Sequence, residues 1–302
     1  MKKVTYIFPG QGSQTVGMGK ELYDNSPIAK QIFDQAETIV PGLLKVIFEG
    51  PEELLTSTKF CQPAIVTVSI AALKAFEAGN IVKEMEPVFA CGHSLGEISA
   101  LVACGALDFK SALELVVKRA ECMQKAVEKN PGKMAAVIGF DKLALVEVCR
   151  STGAEVANFN SLDQIVITGK SEAVEAACKI IEEKGAKRVI VLAVAGGFHS
   201  SLMKTAGEEF AGFVNQVNFT APHIAIISNV DAAPTKDAAV IKHNLPQQIY
   251  SSVRWVETVQ YVQQQGIDTF IEFGTGAVLK GLIKKIDKAL NVINVGTCQD
   301  TL

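Results

Sequence analysis

Short, almost wholly apolar runs punctuate the chain at 4–8 (Val4-Thr5-Tyr6-Ile7-Phe8), 87–91, 224–228 and 269–273. Each has the length of a strand, and the lack of alternation predicts strands buried on both faces. Between them the apolar positions change to helical spacing. Residues 21–60 read as irregular helix with breaks at Pro27, Pro41-Gly42 and Gly50-Pro51. Gln62-Pro63 opens a small-residue helix through 64–76, with the proline in its first turn and Gly79 as its stop. Residues 97–104 form another, closed by Gly105. Asp108 caps a helix from Phe109 to about Glu128, in which Leu113, Val116, Val117, Ala120 and Met123 share a face at about 100° per residue. Trp255 opens a helix to Gln265, and Gly274-Thr275-Gly276 precedes one from Ala277 whose lysines mark a solvated face. Strand and helix in alternation predict an α/β fold with a parallel sheet.

The texture changes near Pro131. Strand 134–139, helix 143–149, strands 155–160 and 164–168, helix 171–184 (capped by Ser171, stopped by Gly185) and strand 188–194 follow in order. This βαββαβ series predicts a ferredoxin-like unit. We therefore expect a small subdomain at 130–195 inserted into a larger, discontinuous one formed by 1–129 and 196–302.

Composition narrows the class. With 48% hydrophobic and 20% charged residues in 302, a sizeable core is expected and general disorder is not. A net charge of −3 gives no electrostatic footprint for nucleic acid. Seven dispersed cysteines without metal-ligand spacing suggest reduced thiols, no metal and a cytoplasmic location. The N-terminal apolar run is too short for a signal peptide, and no stretch is expected to reach bilayer-spanning length.

The densest chemistry is Gly92-His93-Ser94-Leu95-Gly96, between the 87–91 strand and a helix. The pattern alone fits a plain glycine turn, but Gly-x-Ser-x-Gly between strand and helix reads as a nucleophile elbow, a sharp turn that presents a serine at a helix N-terminus. The Gly10-Gln11-Gly12 loop lacks dinucleotide spacing, and Met18 stands where a phosphate-binding loop needs lysine. It is either a plain tight turn or a second source of oxyanion-binding N–H groups. Arg119 lies at the margin of its helix's apolar stripe, either snorkelling to solvent or reaching into a cleft to grip a carboxylate. Of the four histidines, His93 adjoins the serine and points elsewhere, His223 opens a strand and His243 lies in a polar segment. His199, in a loop after Gly196-Gly197, is the candidate base, with no acid partner assignable by spacing.

Taken together, several ordered stretches resemble the malonyl-CoA:acyl-carrier-protein transacylase family over nearly the whole chain. They are Phe8-Pro9-Gly10-Gln11-Gly12-Ser13-Gln14, Gln62-Pro63-Ala64, Gly92-His93-Ser94-Leu95-Gly96-Glu97, Arg119 with Met123-Gln124, Asn158-Phe159-Asn160-Ser161, Phe198-His199-Ser200 with Met203, and Gln248 ahead of Val253-Arg254-Trp255. The resemblance implies an α/β-hydrolase-like core with the ferredoxin-like insertion. It makes Ser94 the nucleophile, His199 its base, Arg119 the binder of the malonyl carboxylate, and the backbone N–H groups of Gln11 and Leu95 the oxyanion hole. The Gln248 backbone carbonyl would orient His199 in place of an acid. The partners implied are malonyl-CoA and an acyl carrier protein, with no cofactor beyond the thioester substrate, in fatty acid or polyketide synthesis. Leu95 and Phe198 match the malonyl-selective pattern. Gly196-Gly197 and Ser251-Ser252 depart from common family residues and bear on pocket breadth. Rival readings are an acyl-thioester hydrolase on the same fold, against which Arg119 argues, a lipase or esterase, and a catalytically silent carrier-docking subunit.

Overall fold

A computed structural model describes residues 1–194 and 196–301. Among these the chain forms strands β1 (Lys2–Phe8), β2 (Met85–Gly92), β3 (Lys133–Ile138), β4 (Glu155–Phe159), β5 (Gln164–Gly169), β6 (Arg188–Val191), β7 (Ala225–Ile227), β8 (Pro234–Thr235), β9 (Thr269–Phe273) and β10 (Asn291–Val295). Six of them make one sheet in the order β10-β9-β1-β2-β7-β8, parallel except for β8, which runs antiparallel at the edge.

Period-two side-chain alternation splits the apolar strands between two cores. Val4, Tyr6 and Phe8 of β1 face one side with Ile271 and Phe273 of β9, beneath the helices Thr58–Ala78, Gly96–Ala103 and Phe109–Lys129. Ile7 and Phe270 face the other side, against the helices Trp255–Gln264 and Val278–Ile286. Both faces are covered, which is why these strands carry few polar positions. Tyr6 and Phe273 pack edge to face at a centroid distance of 4.9 Å, a geometry ring quadrupoles favour.

The other four strands form a separate antiparallel sheet in the order β4-β5-β3-β6. Helices Lys142–Thr152 and Ser171–Glu183 cover one face through Leu145, Val148, Val174 and Ile181. Met134, Ala136, Ala157 and Val166 form the other, which meets Phe198. An α/β-hydrolase-like core thus carries a ferredoxin-like insertion, placed in the chain between the helix of Arg119 and the loop of His199. Pro131 and Gly196 bridge at its neck. The expected boundary at residue 195 falls outside the described residues.

Several elements depart from expectation. The helix expected to open at Gln62-Pro63 begins at Thr58, so Pro63 sits in its second turn. That leaves the Lys59 carbonyl without its i+4 donor. At 21 apolar-rich residues this helix is long and apolar enough to cross a membrane, contrary to the sequence reading, and 89% of its apolar window is buried inside the fold. Ser171 is the first helical residue and not the cap; Lys170 holds that place without a side-chain bond. β6 ends at Val191 because the chain then turns, Leu192 N donating to the Met134 carbonyl and Val194 N to that of Leu192. Helices Lys204–Gln216 and Ala238–Gln247 and strand β10 were not expected.

Candidate functional site

The site gathers at the carboxyl ends of the parallel strands, where open α/β sheets bind ligands. β2 ends at Gly92 and leads through Ser94 into the Gly96–Ala103 helix. A Cβ on Gly92 would collide with the backbone of Gly96, and one on Gly96 with the Phe8 carbonyl. Both glycines are therefore demanded by close approach. Ser94 takes up a left-handed φ of 50°, a strained conformation for a residue with a side chain. Asn229, just past β7, braces it: its Oδ1 accepts from Ser94 N at 2.7 Å and its Nδ2 donates to the Gly92 carbonyl at 2.7 Å.

His199, also left-handed with φ 58°, is 5% exposed and places Nε2 2.8 Å from Ser94 Oγ. Its Nδ1 faces two carbonyls, those of Gln248 at 2.9 Å and Ser251 at 3.1 Å. Carbonyls only accept, so Nδ1 carries the proton and Nε2 offers its lone pair to the serine hydroxyl. Burial, and after it the charge of Arg119 and the neighbouring His93, pull the imidazole pKa down to about 3. The ring is neutral at physiological pH and free to accept a proton.

Arg119 turns inward and is 1% exposed, which removes the snorkelling alternative. Nη1 donates to Gln62 Oε1 at 2.8 Å, and Nη2 reaches Ser94 Oγ and Gln248 Oε1, each at 3.2 Å. Its Nε has no partner, and among the described residues no carboxylate forms an ion pair with it. Burial lowers its pKa to about 10, opposed by the charge of Glu97. A buried, ionised guanidinium beside a serine–histidine pair is chemically able to seat a carboxylate.

A cavity of about 150 Å³ opens over Ser94, lined among others by Gln11, Met123, Met134, Phe198 and His199. Drug-sized ligands occupy roughly 300–1,000 Å³, so this space suits a short acyl group and not a long chain. A larger groove of about 720 Å³ at Ile39, Pro41, Thr58, Val117 and Gln124 contains none of these chemical groups. The N–H groups of Gln11 and Leu95 donate to no protein acceptor among the described residues. They lie in the loop after β1 and at the start of the helix after β2.

The structure thus brings Ser94, His199, Arg119, Gln248, Gln11 and Leu95 into one place. His93, expected to point elsewhere, bonds Asn160 Oδ1 through Nε2 at 2.7 Å but also lines the cavity over Ser94, so it belongs to the site's wall. Sequence reasoning missed Asn229, tied Ser251 to pocket breadth and not to His199, and assigned no role to Glu97 or Gln62. The available signal for Asn229 was its place: a polar residue immediately after a buried parallel strand, like Gln11 and Ser94.

An acyl transferase domain model matches residues 5–297. The chain is 46% identical to the malonyl CoA-acyl carrier protein transacylase of Bacillus subtilis (strain 168), over 98% of this chain and 94% of that protein. It is 40% identical to the protein of the same name from Staphylococcus aureus (strain MRSA252), over 99% and 97%. Among solved structures, the acyl-carrier-protein-S-malonyltransferase of Bartonella henselae superposes with a TM-score of 0.95 at 38% identity, covering 100% of this chain and 97% of that one. A type II polyketide acyl-carrier protein in complex with its malonyl-transacylase matches with a TM-score of 0.94 at 36% identity, covering 100% and 98%. Fold, motif order and relatives agree over the full length: the chain belongs to the malonyl-CoA:acyl-carrier-protein transacylase family of acyl transferases.

Proposed function

We propose that this chain moves a malonyl group from malonyl-CoA to the phosphopantetheine thiol of an acyl carrier protein through a malonyl ester on Ser94. The observation that carries the reading is the buried guanidinium of Arg119 beside the Ser94–His199 pair, with no carboxylate among the described residues in an ion pair with it.

The malonyl carboxylate binds Arg119, which points the thioester carbonyl at Ser94. Oγ attacks as His199 Nε2 takes its proton, and the oxyanion is met by the N–H groups of Gln11 and Leu95. The tetrahedral intermediate expels CoA, whose sulfur takes the proton from His199. The carrier thiol then gives its proton to His199 and attacks the ester carbonyl; this second tetrahedral intermediate breaks its bond to Ser94 Oγ, which takes the proton back from His199 as the malonyl thioester leaves. Two carbonyl dipoles on Nδ1 stabilise the transient imidazolium in place of a carboxylate. The thioester is itself the activated acyl group, so the cycle uses no cofactor. The product serves chain extension in fatty acid or polyketide synthesis, and the buried thiols of Cys61, Cys91, Cys104, Cys122 and Cys149 support a reducing, cytoplasmic setting.

The test is intact mass after mixing with malonyl-CoA. A malonyl adduct absent from Ser94→Ala, stable in buffer and passed to carrier protein is expected. An adduct that water clears without carrier would replace this reading with a hydrolase.

A further inference from the structure

We infer that the Glu97 carboxylate is a positioning residue for this reaction: it fixes the orientation of the Gln248 side-chain amide, which holds the Arg119 guanidinium beside Ser94. The inference rests on the malonyl-transfer reading above.

Glu97 lies three residues after Ser94 and is 3% exposed, at the buried start of the Gly96–Ala103 helix. Its Oε2 accepts from the backbone N–H of Asn229 at 2.9 Å and from Nε2 of Gln248 at 3.0 Å. The same Nε2 donates to the Ser94 carbonyl at 2.7 Å. With both amide hydrogens committed on that side, Gln248 can present only its oxygen to Arg119 Nη2. A flipped amide would set NH₂ against guanidinium, two donors facing each other. The carboxylate cannot donate, so while it is ionised it selects the orientation that supports Arg119. A protonated Glu97, or a glutamine in its place, loses the charge-assisted bond and offers a donor of its own, which leaves the amide held on that side by the Ser94 carbonyl alone and loosens its hold on Arg119. The Asn229 N–H held by Glu97 belongs to the residue whose side chain braces the Ser94 turn, so one carboxylate serves both ends of the site.

This device titrates. Burial raises the Glu97 pKa to about 7, against the hydrogen bonds from Asn229, Gln248 and Ser228. The ionisable groups facing it are Arg119 from the Phe109–Lys129 helix, Asp231 from the turn after β7, and Cys91 from β2. The charge is present above neutrality and lost below it, so the grip on an acidic acyl group tightens as pH rises.

The readout is the ratio of kcat/KM for malonyl-CoA to that for acetyl-CoA, which shares every CoA phosphate but lacks the carboxylate. Across pH values from below to above neutrality the wild-type ratio should rise about tenfold, the worth of one charge-assisted hydrogen bond. In Glu97→Gln it should stay low and flat, and Gln248→Ala should add little to that loss because both act through one amide. A wild-type ratio independent of pH overturns the inference, and this needs no variant to fold. So does a wild-type ratio in Glu97→Gln, or an equal loss towards both substrates, which would mean a general structural role. Arg119→Ala separates the failures: if it leaves the ratio unchanged, the acidic-acyl reading itself is wrong.

Discussion

Arg119 depresses the basicity of His199, and its charge is the largest contribution after burial. On the proposed reading, a substrate carboxylate seated on the guanidinium would cancel that charge, so a malonyl group would also make the base stronger. Uncharged acyl thioesters forgo both the contact and this help. Arg119→Lys keeps the charge but cannot span Gln62, Ser94 and Gln248 from one planar fork. We expect kcat/KM for malonyl-CoA to fall on the order of 10²-fold, about two charge-assisted bonds' worth. Steady-state kinetics will check this, and a loss under threefold would show that charge alone suffices. Ser94 and His199, which the structure places 2.8 Å apart, were legible as candidates from local motif and elimination. Glu97 and Asn229 were not, because their partners come from 132 to 151 residues away along the chain and no spacing rule reaches that far.

The elements show the same division. Strand and helix types were legible wherever one periodicity held over a whole segment, as in the βαββαβ insertion, whose observed sheet order is that of the expected unit. They were missed where polar and apolar residues mix. Asn291–Val295 is exposed at its first residue and half-buried in the middle, so neither a buried run nor clean alternation announces it. Pro63 misled because a proline deeper in a helix is costly, and here dense packing of the Thr58–Ala78 helix tolerates it. The elbow glycines were legible from motif, but the reason for each comes only from contact. Gly96→Ala pushes a methyl into the Phe8 carbonyl and must displace the helix from the end of β1. Overpacking of this kind costs roughly 1–3 kcal/mol. Chemical denaturation should show that loss, together with sharply slower labelling of Ser94 by a fluorophosphonate. Normal labelling would mean the elbow can relax.

At the scale of the whole molecule, the insertion is laced to the loop that carries His199 and to the 251–253 segment whose Ser251 carbonyl faces that histidine. Thr168 Oγ1 donates to the Phe198 carbonyl at 2.9 Å, Ser252 Oγ to the Val156 carbonyl, and Val253 N to the Ala157 carbonyl. Glu155, at the start of β4, accepts from both N and Oγ of Ser201, two residues after His199. Glu155→Ala should leave unfolding stability nearly unchanged, since the bond is exposed. It should lower kcat roughly tenfold by loosening the histidine, as small misplacements of catalytic groups do. Faster amide exchange confined to 198–203 would accompany the loss, and unchanged exchange there would refute the mechanism.

The order of strands in the large sheet carries a consequence for biosynthesis. β1 and β2 pair at its centre, yet their outer neighbours β9 and β7 lie near the far end of the chain. As the polypeptide leaves the ribosome, the central pair has both edges open until the last third has been made. Unpaired strand edges invite association with other chains. Association through those edges is therefore the hazard to expect of the nascent protein in that interval, and its serine and histidine, 105 residues apart, reach each other only after most of the chain has emerged.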